Sequence, residues 1–337
     1  MMKILITGSA GFIGSNLTRN LLESESHVEI VGLDSVNDYY DVSLKEWRLR
    51  QMEKCAAAHP ENRYSFVRGN LADKSLVNSL FEKHRFDIVV NLAAQAGVRY
   101  SITHPDAYIE SNLTGFYNVL EACRHNPVRH LVYASSSSVY GGNVKVPFSE
   151  EDKADSPVSL YAATKKCNEL LAHSYSTLYG IPSTGLRFFT VYGPAGRPDM
   201  AYFSFTDKLI RGEKIQIFNY GDCRRDFTYI DDIVEGVRNV IHKAPEKYSI
   251  YNIGNSHPEN LLDFVQILSE ELVRAGVLPP DYDFEAHKEL LPMQPGDVPV
   301  TFADTSALER DFGFRPSTPL REGLRRFAIW YKEFYGI

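Results

Sequence analysis

Tyr161 and Lys165 stand four residues apart in Tyr161-Ala162-Ala163-Thr164-Lys165, a stretch whose pattern begins a helix. Positions i and i+4 share one helix face, so the phenol and the ammonium point the same way. A free phenol titrates near pH ~10, too high for a base in neutral water. A neighbouring ammonium favours the phenolate and lowers that value, and a cationic coenzyme ring adds to the effect. The serine run Ser135-Ser136-Ser137-Ser138 closes a predicted strand at the same sheet edge and offers a hydroxyl to share the proton. Together these groups could take a proton from an alcohol while its carbon gives up a hydride. On its own, the Tyr-Lys spacing also fits two partly exposed residues.

Such chemistry needs a hydride acceptor. Gly8, Gly11 and Gly14, in Thr7-Gly8-Ser9-Ala10-Gly11-Phe12-Ile13-Gly14, separate the first predicted strand from the first helix. Their GxxGxxG spacing gives a tight turn, and backbone room around Phe12 and Ile13 for a pyrophosphate at the helix N-terminus. A purely structural turn would read the same way. Asp34 ends the second predicted strand, about 20 residues after Gly14, where a carboxylate holds both ribose hydroxyls. Ser35-Val36-Asn37 follows and brings no arginine for a 2′-phosphate, so NAD is expected over NADP, with Asn37 at the pocket edge. Asn70-Leu71 ends the third strand near the adenine position, and Leu92-Ala93-Ala94-Gln95 ends the fourth with small residues that let a cofactor pass. Each is equally readable as a strand end beside a loop; their shared position is what joins them.

The elements that must position these groups follow a βαβ rhythm. Strands are expected at 3–7, 28–33, 64–68, 88–92, 130–134 and 183–187, with helices at 14–22, 74–83, 107–124 and 160–178. The strands are nearly continuous apolar runs, which predicts an α/β fold with a doubly wound parallel sheet over residues 1–187. Beyond that the rhythm changes. Turn-rich segments at 192–199, 219–226 and 292–299 separate expected helices at 205–211, 232–242, 261–275 and 320–335. Residues 188–337 are expected to form a smaller mixed α/β lobe, partly intertwined with the first, that closes over a ligand.

The 337 residues carry a net charge of −7, with 44% hydrophobic and 23% charged residues. These values fit a globular chain and give no basis for nucleic acid or an anionic membrane as partner. Cys55, Cys123, Cys167 and Cys223 are widely spaced and the ten histidines show no ligand spacing, so no zinc site, other metal or disulfide framework is expected. The short apolar run at residues 4–7 meets a glycine turn at once, and no segment reaches the ~20 apolar residues of a membrane span. A cytoplasmic protein is expected. The terminal 320–335 helix, with Glu322 and Glu333 interrupting its basic face, is expected to pack on the lobe rather than on a membrane.

The glycine turn, Asp34, the serine run and Tyr161/Lys165 resemble the extended short-chain dehydrogenase/reductase family with its Rossmann fold, over essentially the whole chain. Residues 34–44, 91–101 (NLAAQAGVRYS), 187–201 (RFFTVYGPAGRPDMA), 225–232 (RDFTYIDD) and 292–300 (PMQPGDVPV) resemble the UDP-glucuronate 4-epimerases. The resemblance implies Ser136, Tyr161 and Lys165 as catalytic positions, and Asn112 and Phe189 as lining the cofactor pocket. It implies a UDP-sugar substrate and a homodimer formed through the 107–124 and 159–178 helices. Two positions depart from the pattern: Asn70 stands where relatives carry Asp, and Gln294 where many carry Arg.

The same resemblance bears on the reaction. Related 4,6-dehydratases carry Asp-Glu where Ser137 and Ser138 stand, and related decarboxylases carry Glu at the Ser138 position. Without those carboxyl groups, epimerisation through a transient 4-keto sugar is the expected outcome. Ser137, Ser138 and Thr190 are implied near the hexose, with Arg99 also among the substrate positions. Arg197 supplies a cation for a carboxylate or phosphate, and Arg225 a guanidinium fork for the diphosphate, the competing reading being a salt bridge to Asp226 or Asp231. Ile217, in Ile215-Gln216-Ile217-Phe218, is implied to face the uracil, although core packing accounts for it equally. Asp231-Asp232 reads as a helix cap. The alternatives are 4-epimerisation of a neutral UDP-hexose or UDP-N-acetylhexosamine, a decarboxylase, and a non-catalytic NAD sensor.

Overall fold

The central sheet begins with β1 (Met2–Thr7), β2 (Val28–Asp34), β3 (Arg63–Arg68), β4 (Ile88–Asn91), β5 (His130–Ser136) and β6 (Ser183–Phe188). Past Phe188 the chain lays down β7 (Thr190–Tyr192), β8 (Ile215–Ile217) and β9 (Arg224–Tyr229). Then β10 (Tyr248–Ile253) returns to pair in parallel with β6, Tyr248 opposite Ser183 and Ile253 opposite Phe188. The seven strands run in the order β10-β6-β5-β4-β1-β2-β3. The stretch beyond residue 187 thus contributes a strand to the first sheet. The computed structural model describes residues 1–293 and 299–337, so the expectation concerning Gln294 lies outside the described residues.

Each strand feeds both faces of the sheet by its two-residue period. Ile4, Ile6, Ile30 and Val90 pack on one face under α1 (Phe12–Ser24) and α2 (Val42–Ala58). Leu5, Val31, Val89 and Leu131 pack on the other, under α3 (Lys74–His84). The expected 107–124 helix is broken into pieces. Two short turns, α4 (Tyr100–Thr103) and α5 (Pro105–Tyr108), lead into a π-helical turn at Ile109–Thr114 and then α6 (Gly115–His125). The π turn shifts the register and directs Asn112 into the protein, where it bonds Gln95 and Thr164. α7 (Leu160–Tyr179) completes that face, capped by Ser159 Oγ accepting from Ala162 N at 3.1 Å and ended by Gly180 at φ 67°.

In the second lobe lie α8 (Ala201–Ile210), α9 (Ile230–Ile241), β11 (Pro258–Asn260), α10 (Leu261–Ala275), β12 (Lys288–Leu290), β13 (Val300–Thr301), α11 (Ser306–Phe312) and α12 (Leu320–Tyr335). β9 pairs with β11, β13 and β7, and β8 pairs with β12. Phe203, Phe227, Phe264 and Phe327 are buried here in the same contiguous core as Ile4 and Leu17 of the first sheet, so no solvent layer divides the lobes. α12 buries Leu324, Phe327, Trp330 and Tyr331 within the lobe. Asp231 and Asp232 lie in the first turn of α9 without capping it; Asp232 instead accepts from Ser317 N and Thr318 N. Among the described residues no helix is long and apolar enough to cross a membrane.

Candidate active site

The strand order reverses between β1 and β4, and a cleft opens beyond their carboxyl ends, where such sheets bind ligands. Thr7 Oγ1 ties the two ends together, donating to Asn91 Oδ1 at 2.8 Å and accepting from Ala93 N at 3.1 Å. Gly8, at φ 68°, passes so close to the β4 end that a Cβ would stand 2.7 Å from Ala93 N, and a Cβ at Gly14 would collide with the Gly8 carbonyl oxygen. The turn therefore requires glycine at both positions. Gly11 caps α1 with no side-chain acceptor, leaving the helix start at Phe12 and Ile13 facing the cleft. Amides presented in this way suit a pyrophosphate.

Asp34 accepts from Val36 N at 2.8 Å and from Ala10 N at 3.1 Å, which fixes its carboxylate at the cleft edge with acceptor capacity left for ribose hydroxyls. Asn37, Asn70, Leu71, Leu92, Ala93, Ala94 and Gln95 all line the same cleft. Asn70 donates to Glu110 Oε1 at 2.8 Å and accepts from Ala72 N at 2.9 Å. These side chains fit NAD: open amides for the diphosphate and one carboxylate for the adenine ribose. Asn112 is a correction. Its side chain is buried behind the wall, accepting from Gln95 N at 2.8 Å and donating to Gln95 O at 3.1 Å, so it shapes Gln95 rather than facing a cofactor itself.

Two residues that the sequence reading passed over sit on α2. Lys45 donates to Asn37 O at 2.7 Å and to Asn37 Oδ1 at 2.5 Å. Arg48, only 1% exposed, donates to Ala10 O in the glycine turn and to Ala195 O and Gly196 O across the cleft. One guanidinium thereby joins the cofactor turn to the loop that carries Arg197.

Ser136, Ser137, Ser138, Tyr161 and Lys165 share the cleft with the glycine turn. Ser136 Oγ accepts from Ser138 N at 3.1 Å and donates to Ser138 Oγ at 3.1 Å, and it favours the ionised form of the Tyr161 phenol. Lys165 donates from Nζ to Ala134 O at 2.9 Å, and that nitrogen is 6.0 Å from the centre of the Tyr161 ring. Lys165 and the coenzyme ring are expected to favour the Tyr161 phenolate together; among the protein's own groups, burial is the largest influence on it. Burial pushes the Tyr161 phenol above its ordinary value, and the groups that oppose this are Ser136 and Arg197. Burial likewise draws the Lys165 ammonium down to about 8. A positive coenzyme ring in the cleft would act against that burial and favour the phenolate.

Below the serine run lies a buried polar network. Glu169 accepts from Ser135 Oγ at 2.7 Å, from Arg187 Nε and Nη2 at 2.8 and 2.9 Å, and from Lys166 Nζ at 3.0 Å. Burial alone would raise the Glu169 carboxyl, but Arg187 and Ser135 outweigh it and hold the carboxyl below its usual range. Arg187 also donates to Tyr140 OH at 2.9 Å, and Tyr140 OH donates to Asn252 Oδ1 at 2.7 Å. The loop carrying Ser136–Ser138 is thus held from β6, β10 and α7 at once.

Phe189, Thr190 and Arg197 line the same cleft. Three other candidate positions are absent from the cleft wall among the described residues. Arg99 stacks its guanidinium 5.7 Å from the centre of Phe218. Ile217 is fully buried in the hydrophobic core, so its side chain packs inward, and Gln216 is the exposed residue of that strand. Arg225 donates to Arg224 O at 2.9 Å and Pro299 O at 3.0 Å. The proposed salt-bridge partners of Arg225 are otherwise engaged: Asp226 is buried, accepting from Ala303 N, Asn255 N and Ser256 N, and Asp231 pairs with Arg326.

A parallel sheet with a glycine turn at its switch point and a Tyr-Lys-Ser group in the same cleft defines a nucleotide-dependent enzyme of the short-chain dehydrogenase type. Residues 4–254 match the NAD dependent epimerase/dehydratase family, and the chain belongs to it. It is 48% identical to Protein CapI of Staphylococcus aureus over 99% of both chains. UDP-glucuronate 4-epimerase 4 of Arabidopsis thaliana is 45% identical, with 98% of this chain matching 76% of that protein. The crystal structure of the UDP-glucuronic acid 4-epimerase from Bacillus cereus, in complex with UDP-glucuronic acid and NAD, superposes with a TM-score of 0.87 at 32% identity, covering 99% of this chain and 100% of that one.

Proposed function

We propose that this protein is an NAD-dependent UDP-hexuronate 4-epimerase that interconverts UDP-glucuronate and UDP-galacturonate. The observation that carries the reading is one cleft lined together by the glycine turn, Ser136, Tyr161, Lys165 and Arg197. The likeness to enzymes named for this substrate supports it.

When bound, NAD supplies a positive ring and the acceptor that takes a hydride from the sugar C4 and returns it. Tyr161 Oη accepts the proton of the O4 hydroxyl as that carbon becomes a ketone, and gives the proton back as the alcohol re-forms on the other face. Ser136 Oγ holds O4 in line with Tyr161. Lys165, anchored on Ala134 O, keeps a cation behind the phenol. Ser137 and Ser138 donate to the sugar and provide no carboxyl group for eliminating water. A 4-ketone of a uronate is a β-keto acid, which loses carbon dioxide when its carboxylate bond aligns with the carbonyl. Arg197 grips that carboxylate and keeps it from the alignment. Thr190 and Phe189 line the cleft, and Arg225, which lies outside the wall of this cleft, is proposed to meet the diphosphate where the UDP extends beyond it.

We further propose a homodimer formed through α6 and α7, whose Tyr117, Leu170 and Leu178 are exposed. A cytoplasmic site of action suits four cysteines that are all unpaired.

Purified protein incubated with UDP-glucuronate and no added cofactor should yield a mixture of the two UDP-hexuronates by NMR. Tyr161→Phe should retain NAD and lose at least about 100-fold in kcat. A UDP-pentose with carbon dioxide, or an unchanged rate in the variant, would overturn the reading.

A further inference from the structure

A carboxylate already occupies the arginine to which the uronate is assigned. Arg197 donates from Nε to Asp199 Oδ1 at 2.9 Å and from Nη2 to Asp199 Oδ2 at 2.7 Å, a two-point contact of the kind a guanidinium makes with any carboxylate. Tyr39 OH donates to the same Oδ2 at 3.3 Å. The two side chains are 24% and 31% exposed, so the pair is shielded but open to water on one side. Burial, followed by the Asp199 charge, pushes the Tyr39 phenol up to about 12, so it stays a neutral donor.

Charge bookkeeping then sets the behaviour of this wall. A half-buried guanidinium without a counter-ion is costly, and two carboxylates competing for one Nε/Nη2 edge repel each other. We propose that Asp199 is a displaceable internal counter-ion: it holds that edge of Arg197 in the free holoenzyme and yields it to the carboxylate of the bound UDP-hexuronate. This rests on the assignment of the uronate carboxylate to Arg197.

The local build suits an exchange of side chains over a fixed backbone. Arg48 clamps Ala195 O at 2.7 Å and Gly196 O at 2.9 Å just before Arg197. Met200 N donates to Arg197 O at 3.1 Å just after Asp199, where α8 begins. Asp199 sits between these anchors with its side chain 31% exposed, so rotation of that side chain is enough to release the arginine. A uronate replaces one carboxylate by another at little electrostatic cost. A neutral hexose brings no charge to compete and leaves the pair closed. Both substrate and product are acids, so the same exchange in reverse speeds release.

The test measures Kd on the NAD-bound enzyme in a Tyr161→Phe background, where ligand is not turned over, by calorimetry with UDP-glucuronate and UDP-glucose. If the free enzyme has its arginine edge open about one-tenth of the time, removing Asp199 should tighten UDP-glucuronate about tenfold. Asp199→Asn and Asp199→Ala are both expected to show this, with UDP-glucose changed less than about twofold. An unchanged or weaker affinity for UDP-glucuronate in both variants, or an equal gain for the two ligands, overturns the exchange. Arg197→Met in the same background separates the two claims. If it weakens UDP-glucuronate selectively while the Asp199 variants do not tighten it, only the exchange fails. If it weakens both ligands equally, the carboxylate assignment fails and takes the exchange with it.

Discussion

Glu169 offers the sharpest test of how the Ser135–Ser138 run is held. Its carboxylate is 2% exposed and its partner Arg187 is 4% exposed, so neither charge is solvated. Glu169→Ala removes four hydrogen-bond acceptances at once and strands a buried guanidinium whose remaining side-chain partner among the described residues is Tyr140 OH. Breaking a buried pair in this way costs about 3–5 kcal/mol. Against a total stability of about 5–15 kcal/mol, that is a large share. Urea unfolding of the NAD-bound protein should show it as a drop in midpoint at unchanged slope. Ser135 loses its acceptor too, so the adjoining Ser136 should drift and kcat fall by about tenfold while KM changes little. Glu169→Leu combined with Arg187→Met, which removes both charges, should recover most of the stability. A cost below about 1 kcal/mol for the single variant, or a double variant no better than the single, would show that the pair does not support this loop.

Gly14→Ala puts a methyl group onto the Gly8 carbonyl oxygen, so the turn must open. NAD should then bind at least about tenfold more weakly in a fluorescence titration, with the far-ultraviolet circular dichroism unchanged. Lys165→Met tests the burial of the lysine. Its folded pKa of about 8 lies below the ordinary 10.5, so charging it opposes folding below pH 8 and that penalty disappears as pH rises to 10.5. The stability advantage of Lys165→Met over the parent should therefore shrink by about 3 kcal/mol across that interval, and a constant gap would contradict the assigned shift.

Much of the site was legible because its parts are local. The glycine turn and Asp34 belong to a single βαβ unit, and Tyr161 and Lys165 to one helical turn, so spacing alone predicts that they meet. Arg48 was not legible: its carbonyl partner at Ala195 is 147 residues away, and α2 carries a mixed pattern in which Lys45 and Arg48 are themselves buried. None of the expected strands covers Tyr248–Ile253, whose place in the first sheet is decided by its long-range pairing with β6. The pocket role of Asn112 was implied by the family resemblance alone, which carries no sign of the π turn at Ile109–Thr114 that directs this side chain onto Gln95. Ile217 shows the limit of a two-residue alternation, which separates the faces without naming the buried one. The electrostatics of Tyr161 were hidden for a different reason: Lys165 is near in sequence, but burial sets both values.

The central claim is that one hydride leaves and returns to the same sugar carbon while Tyr161 moves the proton. UDP-glucuronate deuterated at C4, incubated with the purified protein in ordinary water, tests this directly. UDP-galacturonate should retain the deuterium at C4, read by NMR and mass spectrometry. Product carrying solvent hydrogen at C4, or no product at all, would contradict it.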